Sequence, residues 1–158
     1  MKSILIIGAS NAGKSETAKE VCLKLRPTKV YKLTAIAENP QESKLEISTV
    51  ENIFNNTFVI EVKNKLILIV AGSPTEQGIQ ISILIKICIA INIDISFALV
   101  FMRSFEGLEG FDTRKELSEI SDIIYSEKIY RINDDDFKNT TEWQERTGKI
   151  AKLIDQNL

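Results

Sequence analysis

The chain has 158 residues, of which 44% are hydrophobic and 27% are charged, as expected of a globular domain with room for one core. The formal net charge of −2 gives no broad basic surface for a nucleic-acid partner, and the lack of histidine excludes histidine acid–base catalysis and Cys/His zinc sites. Cys22 and Cys88 lie in apolar helical patterns, where cysteine behaves as a small hydrophobe. The apolar run after Met1 is too short for a signal peptide, so we expect a cytoplasmic protein without a membrane partner.

The first apolar run leads into a glycine-containing segment. Residues 3–7 are apolar and β-branched, which is typical of a buried strand. Gly8 to Ser15 has the pattern G-x-x-x-x-G-K-S, and Glu16 to Leu25 carries apolar residues at helical spacing. A strand, a glycine loop and a helix in this order are the context in which this pattern binds phosphate.

Each part of this loop has a physical role in binding phosphate. Its two glycines allow backbone conformations in which successive N–H groups converge on an anion, and the helix dipole adds to the attraction. Lys14 is expected to reach the outer phosphates, and the Ser15 hydroxyl is expected to hold Mg²⁺. The predicted binding residues are Gly8, Ser10, Asn11, Ala12, Gly13, Lys14, Ser15 and Glu16.

This segment resembles the phosphate-binding loop of the P-loop NTPase superfamily. The resemblance implies a single nucleotide-binding domain over residues 1–158, with a nucleoside triphosphate and Mg²⁺ as its ligands. It covers the first 25 or so residues directly and the remainder only by topology.

The segment after the second predicted strand, Lys29 to Leu33, has a poor pattern. Residues 34–56 are polar, with a possible short helix from Ser48 to Asn55 that Thr49 would cap. This segment is either a switch, lid or acceptor-binding region that could contact a protein partner, or a plain surface excursion.

Two further strands, Thr57 to Val62 and Leu66 to Ala71, are joined so closely that they must be antiparallel. This hairpin resembles the one in Ras-like GTPases that leads into their D-x-x-G motif. Here no alignment supplies the acidic residue, since Ile69, Ala71 or Ser73 takes its place. The guanine-reading N-K-x-D motif is missing as well, so ATP is predicted ahead of GTP.

The Gly72 to Gly78 segment is either a plain turn that ends a strand or a loop at the carboxyl end of a strand beside the P-loop, where ligands bind in open α/β sheets. Glu76 and Gln77 are its candidates for positioning a water molecule. A buried helix over residues 79–93 is predicted to lead to a strand over Ile95 to Met102, which Arg103 follows. Arg103 and Arg114 could each meet phosphate or form a surface ion pair.

The last part of the chain is predicted as a helix from Asp112 or Thr113 to Ile124, a strand from Lys128 to Ile132, and a final helix from about Thr140 to Asp155. Residues 133–136, Asn-Asp-Asp-Asp, are interpreted as a solvated loop rather than a metal site. The fold class is a three-layer α/β sandwich, in which a mostly parallel sheet of about five or six strands has one antiparallel hairpin strand.

The predicted function is binding of ATP or GTP with Mg²⁺ and slow hydrolysis. Lys14, Glu76, Gln77 and Arg103 are the candidate catalytic residues, and Ser15 is the metal ligand. Two alternatives stay open: a small-molecule or nucleotide kinase, and a GTPase-like switch or scaffold that acts without catalysis through a protein partner.

Overall fold

The computed structural model describes all 158 residues and contains seven strands and five helices. The strands are β1 (Lys2–Gly8), β2 (Lys29–Thr34), β3 (Lys44–Ile47), β4 (Thr57–Val62), β5 (Lys65–Val70), β6 (Ile95–Arg103) and β7 (Asp122–Lys128). The helices are α1 (Lys14–Leu25), α2 (Pro74–Gln77), α3 (Ile81–Ala90), α4 (Thr113–Ile120) and α5 (Thr141–Gln156). Short 3₁₀ turns occur at Pro40–Glu42, Val50–Asn52 and Phe137–Asn139.

All seven strands form one sheet in the order β3-β2-β4-β5-β6-β1-β7. The neighbours β5, β6, β1 and β7 are parallel, whereas β2 pairs antiparallel with both β3 and β4, and β4 with β5. The predicted β4–β5 hairpin is confirmed, and Lys63 and Asn64 turn it with φ angles of 53° and 61°. The sheet is mostly parallel, but two strands, β3 and β4, run against the others, where the sequence predicted one.

Side chains alternate between two apolar cores, one on each face of the sheet. Along β1, Ile4 and Ile6 belong to one core and Leu5 to the other. The helices α1 and α5 cover the first face, and α3 and α4 cover the second. No helix has the length and apolar character needed to cross a bilayer.

Three predicted elements differ from the structure. The helix expected to reach Ile124 ends at Ile120, and residues 122–128 form β7 instead of a strand at 128–132. The isoleucines at 120, 123 and 124 also satisfy helical spacing, but pairing with β1 fixes 122–128 as a strand. The helix expected over 48–55 is only the turn at Val50–Asn52, and the chain before it forms the edge strand β3.

Candidate functional site

The loop between β1 and α1 presents an open helix N-terminus. Gly13 precedes the helix with a φ of 87°, a left-handed conformation that suits glycine. It has no side chain, and no other group caps this end of α1. The N–H groups of the first helical turn have no partner within the helix, so they are available to an anion.

Lys14 folds back over the loop that it follows. Its Nζ donates hydrogen bonds to the carbonyl oxygens of Gly8, at 2.9 Å, and Ala9, at 2.8 Å. Only 6% of the residue is exposed. Burial lowers the pKa of this ammonium group, the charge of Glu76 opposes that shift, and Arg103 adds to it. The loop therefore holds a cation whose charge has no carboxylate in direct contact.

Ser15, the next residue, contacts the segment that precedes β4. Its Oγ donates a hydrogen bond to Oδ1 of Asn55 at 2.7 Å. The carbonyl of Asn56 accepts from the N–H groups of Ala71 and Gly72, at 3.0 and 3.1 Å. A Cβ on Gly72 would overlap the Asn55 carbonyl. Residues 54–56 are thus held tightly against the end of β5.

A cleft of about 600 Å³ opens in front of the loop. It brings together six of the predicted binding residues, which are Ser10, Asn11, Gly13, Lys14, Ser15 and Glu16. Glu76 and Arg103 also line it, and Arg103 Nε lies 3.9 Å from Glu76 Oε1. The ends of β1, β5 and β6 therefore meet here, with β6 between β5 and β1 in the sheet.

Gln77 and Arg114 lie elsewhere. The Gln77 amide donates to the carbonyl of Gly72 at 2.6 Å and accepts from the Thr57 hydroxyl at 3.1 Å. The nitrogen and the oxygen of this amide thus both form hydrogen bonds within the protein, and Gln77 does not line the cleft. Arg114 donates to the Ser126 hydroxyl at 3.0 Å, also away from the cleft.

A second cavity, of about 620 Å³, adjoins the first. Asn11, Gly13, Glu16 and Arg131 line both cavities. The rest of its wall comes from Ala12, residues 132–135, Phe137, Trp143 and Arg146. The rings of Phe137 and Trp143 meet edge to face, with centroids 5.0 Å apart, and the buried indole N–H has no hydrogen-bond partner. The acidic loop, interpreted as solvated, is exposed and also lines this cavity.

Two arginines and Asn55 were missed by the sequence analysis. Arg146 is 8% exposed and donates to the carbonyls of Ala12, at 3.4 Å, and Tyr130, at 2.6 Å. Burial lowers its pKa, against the charges of Glu142 and Glu127. The Arg131 side chain forms no ion pair with the protein. The sequence could have predicted that Arg146 is buried, because it shares the helical spacing of Trp143 and Ile150 on the buried face of α5.

Three side chains in the first cleft carry oxygen atoms that could hold a magnesium ion. The Ser15 hydroxyl, the Asn55 amide oxygen and the Glu76 carboxylate are the oxygen ligands that Mg²⁺ prefers. No group of three or more acidic, histidine or cysteine side chains forms a metal cage. A cation here would therefore take its remaining ligands from water and from a bound phosphate.

Comparisons with family models, with curated proteins and with solved structures find no match to the chain. The function is therefore inferred from the geometry of the two cavities.

Proposed function

We propose that the chain binds a nucleoside triphosphate with Mg²⁺, and that its phosphates lie on the loop from Gly8 to Ser15. The observation that carries this proposal is the buried Lys14 ammonium group beside an uncapped helix N-terminus, both facing one open cleft. Convergent N–H groups and a lysine charge are what a polyphosphate needs. Helices on both faces of a mostly parallel sheet agree with the three-layer P-loop fold that belongs to the same proposal.

The nucleoside would occupy the second cavity. The Phe137 ring offers an apolar surface for a base, and the neighbouring carboxylates offer polar contacts. Arg131 lines both cavities and carries an unpaired charge, so it suits the phosphates that connect base to loop. ATP is the first nucleotide to test and GTP the second.

Slow hydrolysis is part of the proposal. Glu76 lines the phosphate cleft and is the candidate to position a water molecule, with Arg103 to stabilise charge on the γ-phosphate. Because these two side chains contact each other, turnover requires their ion pair to loosen, which favours a low rate. Gln77, engaged with Gly72 and Thr57, has no part in this step.

A second candidate is a switch protein that binds nucleotide without turnover. The observation that favours it is the neutral Asn55 beside Ser15, which leaves the cation site with little protein charge. The release of phosphate from bound ATP or GTP separates the two functions, since the switch protein would bind nucleotide but release no phosphate.

Calorimetric titration with ATP and with GTP, each with Mg²⁺, tests the proposal. Lys14→Ala should weaken binding by about tenfold or more, because one charge-assisted contact is worth about 1.5–3 kcal/mol. Lys19→Ala is the matched control, since it removes the same charge from α1 outside both cavities. The proposal would be overturned if neither ATP nor GTP binds, or if wild type and Lys14→Ala bind the nucleotide equally well.

A further inference from the structure

Asn55 is the only side chain that Ser15 contacts through a hydrogen bond. The two oxygens, Ser15 Oγ and Asn55 Oδ1, are 2.7 Å apart, and both residues line the cleft that holds Lys14. Asn55 lies forty residues along the chain from Ser15. Its side chain therefore comes to this position through the fold and not through local sequence.

The backbone of Asn55 is fixed independently of this hydrogen bond. The Asn55 carbonyl lies against Gly72, where no side chain would fit, and the next carbonyl accepts from two N–H groups at the end of β5. The amide oxygen is thus presented to Ser15 from a rigid support. Such support is what positions a metal ligand within a narrow range.

The spacing of the two oxygens suits neighbouring ligands of one small cation. Octahedral Mg²⁺ with bonds of 2.0–2.1 Å places adjacent ligand oxygens roughly 2.9 Å apart. The observed 2.7 Å needs only a small adjustment, in which the serine–amide hydrogen bond is exchanged for two bonds to the ion.

From these observations we infer that Asn55 Oδ1 is the second protein ligand of the cation held by Ser15. This inference rests on the proposed nucleotide site and adds a residue to it. Ser15 and Asn55 are neutral, and the two carboxylates that line the cleft, Glu16 and Glu76, lie 3.2 Å from Lys138 and 3.9 Å from Arg103. The protein therefore attracts free Mg²⁺ weakly, and phosphate charge must supply the remaining attraction. The ion therefore enters together with the nucleotide rather than before it.

Titration calorimetry with ATP, in Mg²⁺ and separately in excess chelator, tests this role through binding alone. Asn55→Ala should bind ATP about tenfold more weakly than wild type in Mg²⁺, the size of effect expected for losing one contact to a charged group. In chelator its affinity should match that of wild type. Asn55→Asp should bind ATP more tightly than wild type in Mg²⁺, because its carboxylate attracts the cation. In chelator it should bind ATP more weakly than wild type, because the same carboxylate repels bare phosphates.

Asn52→Asp is the matched control, because it adds the same charge to the exposed turn at Val50–Asn52, outside both cavities. The thermal unfolding midpoint of each variant is measured as a check that the variant is folded. Equal Mg²⁺ dependence in wild type and Asn55→Ala would overturn the inference, as would weaker binding by Asn55→Asp in both buffers. A wild-type chain that binds no ATP in either buffer would instead overturn the proposed nucleotide site itself.

Discussion

Neighbouring residues on α2 have separate roles. Glu76 faces the phosphate cleft and lies close to Arg103, whereas Gln77 connects the end of β5 to β4 through Gly72 and Thr57. Thr57 is 1% exposed, so its hydroxyl has no water to replace the amide. The two side chains differ in what they contact although both are polar and adjacent.

Gln77→Ala should therefore act on stability and not on the nucleotide. Removing the amide leaves the Thr57 hydroxyl and the Gly72 carbonyl short of partners, and one such loss costs about 1–3 kcal/mol. Urea denaturation measures this loss, while ATP affinity should stay at the wild-type value. Glu76→Gln is the counterpart, with wild-type stability and slower phosphate release. Unchanged stability in Gln77→Ala would contradict this assignment.

The residues that the sequence could predict are those within one continuous motif. Lys14 and Ser15 follow from the spacing of two glycines, a lysine and a serine after an apolar run. Asn55, Arg131 and Arg146 belong to the same two cavities but come from three distant segments. Which loops meet at an edge of the sheet depends on strand order, and local spacing does not contain that information.

At the level of elements, the junction between β5 and residues 54–56 depends on the absence of a side chain at Gly72. Gly72→Ala should push the Asn55 carbonyl away and weaken the two hydrogen bonds to the Asn56 carbonyl. We expect a loss of about 1–3 kcal/mol in the free energy of unfolding, as for other overpacked sites.

Gly148→Ala provides the contrasting control for that variant. A Cβ at Gly148 would meet no atom within 4 Å, and the residue lies inside α5. Alanine should therefore stabilise the helix by about 1 kcal/mol. Denaturant unfolding curves of both variants measure the two effects, and a neutral or stabilising Gly72→Ala would show that residues 54–56 are not held as described.

Helices and strands in which apolar residues repeat at a clear spacing were predicted well. Segments whose apolar spacing fits more than one structure were not, with the exception of α3. The strands β1, β4, β5 and β6 and the helices α1 and α5 follow from runs and spacings that favour one structure. The helix α3 was predicted instead from the crossover that two parallel strands require, since its isoleucines at odd positions also fit a strand. Residues 120–124 are ambiguous, because isoleucines at 120, 123 and 124 satisfy the helical period while β-branched residues also favour a strand. The pairing of β7 with β1 decides between them, and that contact is long-range.

For the whole molecule, the sheet divides the interior into two cores, and each contains one thiol. Cys22 lies in the core under α1 and α5, and Cys88 in the core under α3. Burial raises the pKa of each thiol from 9.0 to about 12. Both should therefore resist a thiol reagent at pH 8 in the native state and react once urea unfolds the chain.

These thiols also set a direction for stability at alkaline pH. Between pH 9 and about 12 the folded chain keeps two protons that the unfolded chain releases, so unfolding becomes more favourable as the pH rises through this window. Urea midpoints at pH 8 and pH 10 should show the decline. In the double variant Cys22→Ala/Cys88→Ala, the urea midpoint should fall less between pH 8 and pH 10. A fall as large as that of wild type would show that the two thiols are not its cause.

The strand β1 is made first, yet both of its neighbours, β6 and β7, come from residues beyond 94. During synthesis the hairpin β4–β5 can pair at once, whereas β1 gains one neighbour when residue 103 has been added and the other when residue 128 has been added. Pairing between such distant segments is the slow part of forming a sheet. The strand that leads into the glycine loop thus gains its full support late, and a ligand of the loop can stabilise only a chain in which that pairing has formed.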